Sequence, residues 1–185
     1  GATYVDKQPT IPQLGMMDWA KGSNLIEYSE DLTATGWSNN GGTLTPNFSI
    51  APNGSQTASK YSIDGSYRII RYLLDLDIST DYTFSFYVKN ISSDAATYRV
   101  YDNTNAVDVI GATSYYSQIS TTDWSRVDVT FTTSATGTEY GVYLMSGTAT
   151  GDILFWGAQL EEGTSAGNYI LTDGAAAIDV TTIQN

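Results

Sequence analysis

The chain has 185 residues, no cysteine and no histidine, and eight basic against twenty acidic residues, for a net charge of −12. Without cysteine there is no disulfide stapling or thiolate chemistry, and without histidine there is no Ser-His-Asp triad, no His-based zinc site and no near-neutral pH switch of the usual kind. A negative field repels phosphate backbones and anionic lipid, so neither nucleic acid nor a membrane surface is an expected partner, and no apolar stretch approaches the ~20 residues needed to span a bilayer.

Residues 1–22 read as an extended arm. Pro9 and Pro12 punctuate it, and Ile11, Leu14, Met16, Met17 and Trp19 give it an apolar side that calls for a covering partner or domain surface. Its first residues lack a basic stretch followed by an apolar run, so no signal peptide is expected. Strand signals begin after Gly22-Ser23. They recur near 24–28, 37–45, 57–63, 67–75, 81–90, 97–102, 107–111, 124–133, 138–146 and 152–160, and only 31–36 has the character of a short helical turn. Turn chemistry separates most of these strands, as in Pro52-Asn53-Gly54, Asp64-Gly65 and Thr148-Ala149-Thr150-Gly151.

Alternation is clearest in three segments. Tyr82, Phe84, Phe86 and Val88 share one face of a strand, with Thr83, Ser85, Tyr87 and Lys89 on the other. Val127, Val129 and Phe131 repeat the pattern, as do Tyr140, Val142 and Leu144. A period of two means sheets with one buried face, and short strands without crossover helices imply antiparallel sheets packed face to face. The run from Ile153 to Leu160 is apolar on both sides and should be covered on both faces. The expected fold is all-β: an antiparallel β-sandwich over 23–177, with the arm at 1–22 and a tail at 178–185.

Four motifs, in order, resemble those of bacteriophage virion modules from fibres and spikes. They are Asn24-Leu25-Ile26-Glu27-Tyr28-Ser29-Glu30-Asp31-Leu32 followed by Gly36-Trp37, then Tyr82 to Lys89, then Asp123-Trp124-Ser125-Arg126-Val127. The last comprises Trp156-Gly157-Ala158-Gln159-Leu160-Glu161-Glu162-Gly163 with Tyr169 to Ala176. The resemblance covers about residues 24–177. It implies a jelly-roll, galactose-binding-like sandwich similar to carbohydrate-binding modules, a place on the virion, partners among other virion proteins and a host cell-surface polysaccharide, and a homotrimer. Related jelly rolls carry a structural calcium ion near their first and last strands, for which Glu27, Glu30, Asp31, Asp152 and Glu161 are the candidate carboxylates here. No other cofactor is implied. Trp37, Trp124 and Trp156 read as core anchors rather than ligand contacts.

Sugar recognition calls for aromatic rings and planar polar groups projecting from a rigid face. Strand parity places Tyr67 and Arg71 together, and turns Tyr87, Arg99 and Tyr101 away from their inward neighbours. Tyr143 likewise opposes Val142 and Leu144. The expected surface is Tyr67, Arg71, Tyr87, Arg99 and Tyr101, rimmed by Tyr115 and Tyr116. No motif nominates a catalytic carboxyl pair, so the expectation is a binding module rather than an enzyme. Two alternatives stay open. One is a capsid or tail decoration domain that binds no sugar, and the other is a carbohydrate-binding module tethering an enzyme in a longer chain.

Overall fold

Side-chain alternation builds two packed layers, and two unusually long strands join them. A computed structural model describes residues 22–178. The strands are β1 (Ser23–Asn24), β2 (Trp37–Asn40), β3 (Thr43–Ser49), β4 (Ala58–Asp75), β5 (Asp81–Asn90), β6 (Thr97–Asp102), β7 (Val107–Ser114), β8 (Ser125–Thr132), β9 (Glu139–Glu162) and β10 (Ala177–Ile178). The one regular helical element among the described residues is a 3-10 turn at Tyr116–Gln118. Residues 31–36, expected to form a helical turn, make turns without a helix. The arm over 1–22 and the tail over 178–185 lie outside the described residues, apart from Gly22 and the backbone of Ile178.

Every pairing is antiparallel. The first layer runs β2, the second half of β4, the first half of β9, β6 and β7. The second runs β3, the first half of β4, the second half of β9, β5 and β8. Both long strands bend together where the register shifts between Asp64 and Tyr67 on β4. The sequence reads two strands on each side of these points, because Asp64-Gly65 and Thr148 to Gly151 carry turn chemistry. The structure keeps each strand continuous and uses the same residues as the bend. Gly41 and Gly42 do break the expected 37–45 strand, into β2 and β3.

The core fills the space between the layers. Phe84, Phe86, Val142, Leu144, Val100, Ile70 and Phe155 are fully buried in it. Phe86 meets Tyr115 and Phe155 edge-on at 5.4 and 6.1 Å, and Phe131 of one layer meets Tyr140 of the other at 6.4 Å. β9 is covered on both faces, as its composition requires. Phe155 points into the core, while Trp156 packs outward with Ala51 and Ala58 in a second cluster. A bulge at Gly157, whose φ is +61°, lets the strand change sides without leaving the ladder.

One buried carboxylate ties the loops at one end. Asp102 accepts hydrogen bonds from the Asn105 amide N–H (2.9 Å), Asn105 Nδ2 (2.8 Å), Ser134 Oγ (2.9 Å) and the Tyr140 hydroxyl (3.3 Å). Burial pushes its pKa up, but the donors from Asn105, Ser134 and Tyr140 outweigh this and hold it below the usual carboxylate range.

Two predictions follow from this architecture. Gly151 sits at the bend with φ +94°, and a Cβ there would strike the Ser92 carbonyl oxygen. Gly151→Ala should therefore lower the urea midpoint by the equivalent of about 1–3 kcal/mol. The second concerns acid. A carboxylate whose folded pKa is depressed contributes stability above its unfolded value of about 3.9, and loses it as pH falls through the folded value. Melting temperature should be level from neutral pH to about 5 and fall below about 4. Asp102→Asn should melt lower at pH 7 and show a shallower acid fall, and an unchanged acid limb would remove Asp102 from the explanation.

Candidate functional site

The outer faces of the two layers differ. The second layer's outer face is partly covered by the chain that returns after β9. Arg126 Nη1 donates to the Gly167 carbonyl at 2.6 Å and its Nη2 to Ser85 Oγ at 3.0 Å. Tyr169 lies over Trp156 with ring centroids 4.5 Å apart, and its hydroxyl bonds Ser29 Oγ at 2.7 Å and Glu30 Oε1 at 3.1 Å. Burial raises the Tyr169 pKa well above that of a free tyrosine, so the ring stays neutral. Tyr87 belongs to this cluster. It stands 5.3 Å from Trp156 and 6.3 Å from Tyr169, with the Arg126 guanidinium 5.5 Å from its ring centre.

The first layer's outer face carries a row of arginine and tyrosine. In register across the strands stand Ser38 of β2, Arg71 of β4, Tyr143 of β9 and Arg99 of β6. Arg71 donates through Nη1 to the Tyr143 hydroxyl (2.9 Å) and through Nε to Ser38 Oγ (3.2 Å). Both guanidinium carbons lie 5.6 Å from the Tyr143 ring centre, one from β4 and one from β6. Arg99 also lies 4.4 Å from the Tyr101 ring centre and pairs with the Asp108 carboxylate of β7, a hydrogen bond that raises the pKa of Arg99. The neighbouring row is Leu73, Gly141 and Tyr101. Gly141 is needed there, because a Cβ would come within 2.9 Å of Tyr143 Cε2. The tyrosine ring leans over that gap, and with an arginine near it from either side it is 3% exposed. Tyr67, two rows away, is 53% exposed while its hydroxyl bonds Ser146 Oγ at 2.8 Å.

Of the residues expected to form one surface, Tyr67, Arg71, Arg99 and Tyr101 do share this face. Tyr87 does not, because it points outward from the other layer. Tyr115 is also misplaced as a rim residue. It is fully buried, stacks on Tyr98 at 6.1 Å and donates its hydroxyl to the Leu144 carbonyl at 2.8 Å. Tyr116, next in the chain, is 41% exposed on the 3-10 turn. The expected set omits Tyr143, which sits between the two arginines, together with Ser38 and Asp108. Strand parity already turns Tyr143 outward, but the pairing of β4 with β9 and β9 with β6 is needed to bring it between them. Among the tryptophans, Trp37 packs on the main core, while Trp124 and Trp156 join the second cluster.

The five carboxylates expected near a calcium ion, which takes six to eight oxygens, are dispersed. Glu161 is buried and accepts hydrogen bonds from Gly167 N–H and Gln159 Nε2. Asp152 pairs with Lys60 at 3.4 Å. Glu30 and Asp31 line a separate cleft of about 400 Å³ with Tyr28, Pro46, Leu171 and Asp173, and Glu27 is exposed elsewhere. Among the described residues no three acidic side chains come together as a cation site. The structure therefore does not bring the five expected carboxylates together as one set.

No protein-family model and no curated protein sequence matches the chain. Solved structures do match. The C-terminal family 22 carbohydrate-binding module of Clostridium thermocellum Xyn10B superposes with a TM-score of 0.59 at 12% identity, over 78% of this chain and 96% of that one. The CBM22-1 xylan-binding domain of Paenibacillus barcinonensis Xyn10C gives 0.57 at 17% identity, over 78% and 97%. The enzymatically active domain of bacteriophage CBA120 tailspike protein 4 gives 0.56 at 15% identity, over 76% of this chain. The shared fold is a jelly-roll β-sandwich. This chain spans about a fifth of the tailspike domain, with 21% of that chain covered, and nearly all of the two binding modules.

Tyr115→Phe tests the placement of that ring. Removing a hydroxyl bonded to a buried carbonyl should cost about 1 kcal/mol in urea unfolding and leave surface binding unchanged. A loss of ligand binding without a loss of stability would return Tyr115 to the surface.

Proposed function

We propose that this domain is a non-catalytic recognition module that holds glycan on the outer face of its first layer. The observation that carries the reading is the Arg71–Tyr143–Arg99 row beside the exposed ring of Tyr67. Sugars present C–H faces that stack on aromatic rings and hydroxyls that pair with planar donors. Tyr67 offers a half-exposed ring. Tyr101 and the two guanidiniums offer further aromatic and donor edges, already held in place by Tyr143, Ser38 and Asp108, so little side-chain freedom is lost on binding. The likeness to carbohydrate-binding modules supports a polysaccharide partner.

The finer reading places the module on a phage fibre or spike, against host cell-surface polysaccharide, with neighbouring virion proteins and a trimeric assembly around it. It is supported by the four sequence motifs and the likeness to part of a tailspike domain. Multiple weak sites on one particle would then add up to firm attachment.

Screening on a glycan array should return a polysaccharide binder. Tyr67→Ala and Tyr101→Ala should each weaken binding about tenfold, the loss of about 1.4 kcal/mol, with an unchanged circular dichroism spectrum. Tyr116→Ala should bind as the parent does. If no glycan binds, or if only Tyr116→Ala weakens binding, this face is not the site.

A further inference from the structure

We infer that the glycan held by this face is acidic, with carboxylate-bearing sugar units whose anion pairs with Arg71; the inference rests on the glycan reading above. Of the six basic residues within 22–178, Arg68 pairs with Asp64, Arg99 with Asp108 and Lys60 with Asp152, while Arg71, Lys89 and Arg126 are without an ion pair among the described residues. Arg71 is the one of these three on the proposed binding face. Among the described residues no carboxylate pairs with it, and its two side-chain partners, Ser38 Oγ and the Tyr143 hydroxyl, are neutral. Those bonds fix the guanidinium plane through Nε and Nη1, while Nη2 makes no bond to any of the described residues.

Arginine does not shed its charge by deprotonation, so a fixed and unmatched guanidinium on a recognition surface favours an anion over a neutral hydroxyl. With Nε and Nη1 engaged, the Nη2 N–H donors are the ones left to meet a carboxylate oxygen in a charge-assisted hydrogen bond. Arg126 also lacks an ion pair, but its Nη1 and Nη2 are taken up by Gly167 and Ser85 beneath the returning chain, which is a structural use, while its Nε is buried without a partner. Among the described residues no such segment covers Arg71.

The acidic groups on the same face set where the anion sits. Asp108 neutralises Arg99, so that end of the row offers no net attraction. Asp75 and Glu139 stand opposite each other beyond the Leu73–Gly141 row. Asp75 is four residues from Arg71 along β4, roughly 13 Å in an extended strand. That exceeds the screening length of about 8 Å at physiological ionic strength, so their repulsion at Arg71 is weak. The acidic sugar is therefore assigned to the Tyr67–Arg71 end, where an open ring and an unmatched charge lie on one strand.

The test uses the intact chain on an array holding acidic and neutral bacterial polysaccharides, followed by chemical reduction of the carboxyl groups on whichever polysaccharide binds. Binders should be acidic, and carboxyl reduction should weaken binding at least tenfold. Raising sodium chloride from 20 to 300 mM should weaken the acidic form and leave the reduced form unchanged. Arg71→Gln should bind both forms equally, and Arg71→Lys should recover part of the preference. If a neutral polysaccharide binds as tightly as an acidic one, or dextran sulfate matches the acidic binder, the inference is overturned while the glycan reading stands. If nothing on the array binds, the glycan reading itself fails.

Discussion

The whole structure depends on the ladder between β4 and β9. These strands stay paired from Ser59 opposite Phe155 to Asp75 opposite Glu139, passing from one layer to the other through a single bend. Because both strands bend at the same place, the two layers share one backbone network, interrupted at the bend and at a second register shift between Ile70 and Arg71. Side-chain parity is then set separately on each side of the bend and reset at the register shifts at Arg71 and Gly157. In the first layer Val142 and Leu144 turn inward and Tyr143 outward, while in the second Phe155 turns inward and Trp156 outward. A slip of one residue in either half would carry the core set into water and the arginine row into the core.

The bend also decides which face is available. The chain leaving β9 returns over the second layer, where Tyr169 seals Trp156 and Tyr87 and Gly167 caps Arg126. It reaches the first strand region by way of Thr172, which exchanges hydrogen bonds with Ser29 and Ile26. That route leaves the outer face of the first layer free of this covering. Side chains there are held from below and beside rather than from above, which is the condition for a preorganised surface that can still meet a ligand.

Much of this was legible in the sequence. The runs at Tyr82–Lys89 and Arg126–Phe131 alternate cleanly and their inward residues are buried, but Thr83 and Ser85 on the other face of β5 are buried too, Thr83 bonded to Gly163 and Ser85 to Arg126. Parity within β4 and β6 was enough to place Tyr67, Arg71, Arg99 and Tyr101 outward. Parity does not say which layer a strand joins, however, so Tyr87 was grouped with residues on the other side of the domain. Tyr115 follows a strand, where alternation has no authority, and a ring in a Ser/Thr-rich loop looks solvent-facing until Phe86 and Tyr98 are seen to enclose it. Turn chemistry misled in a different way. Gly65 and Gly151 supply positive φ for bends inside long strands, and from sequence alone such glycines read as chain reversals.

The acidic balance of the chain looks at first like an argument against an anionic ligand, and its distribution answers that. Many carboxylates are acceptors that build loops. Asp31 binds Thr33, Asp64 binds Ser66 and Arg68, Asp94 binds Thr150, Asp102 binds Asn105 and Ser134, and Glu161 binds Gly167. Hydrogen bonding of this kind lowers the pKa of Asp64 and Asp94, so these charges serve loop closure, whatever the ligand. At physiological ionic strength such charges act over roughly 8 Å, and a bound sugar responds to its immediate neighbours more than to the sum over the molecule. At the Tyr67–Arg71 end the neighbours are hydroxyls, aromatic rings, the paired Asp64 and Arg68, and one guanidinium without a carboxylate partner among the described residues, so a bound anion there has an unbalanced positive charge beside it.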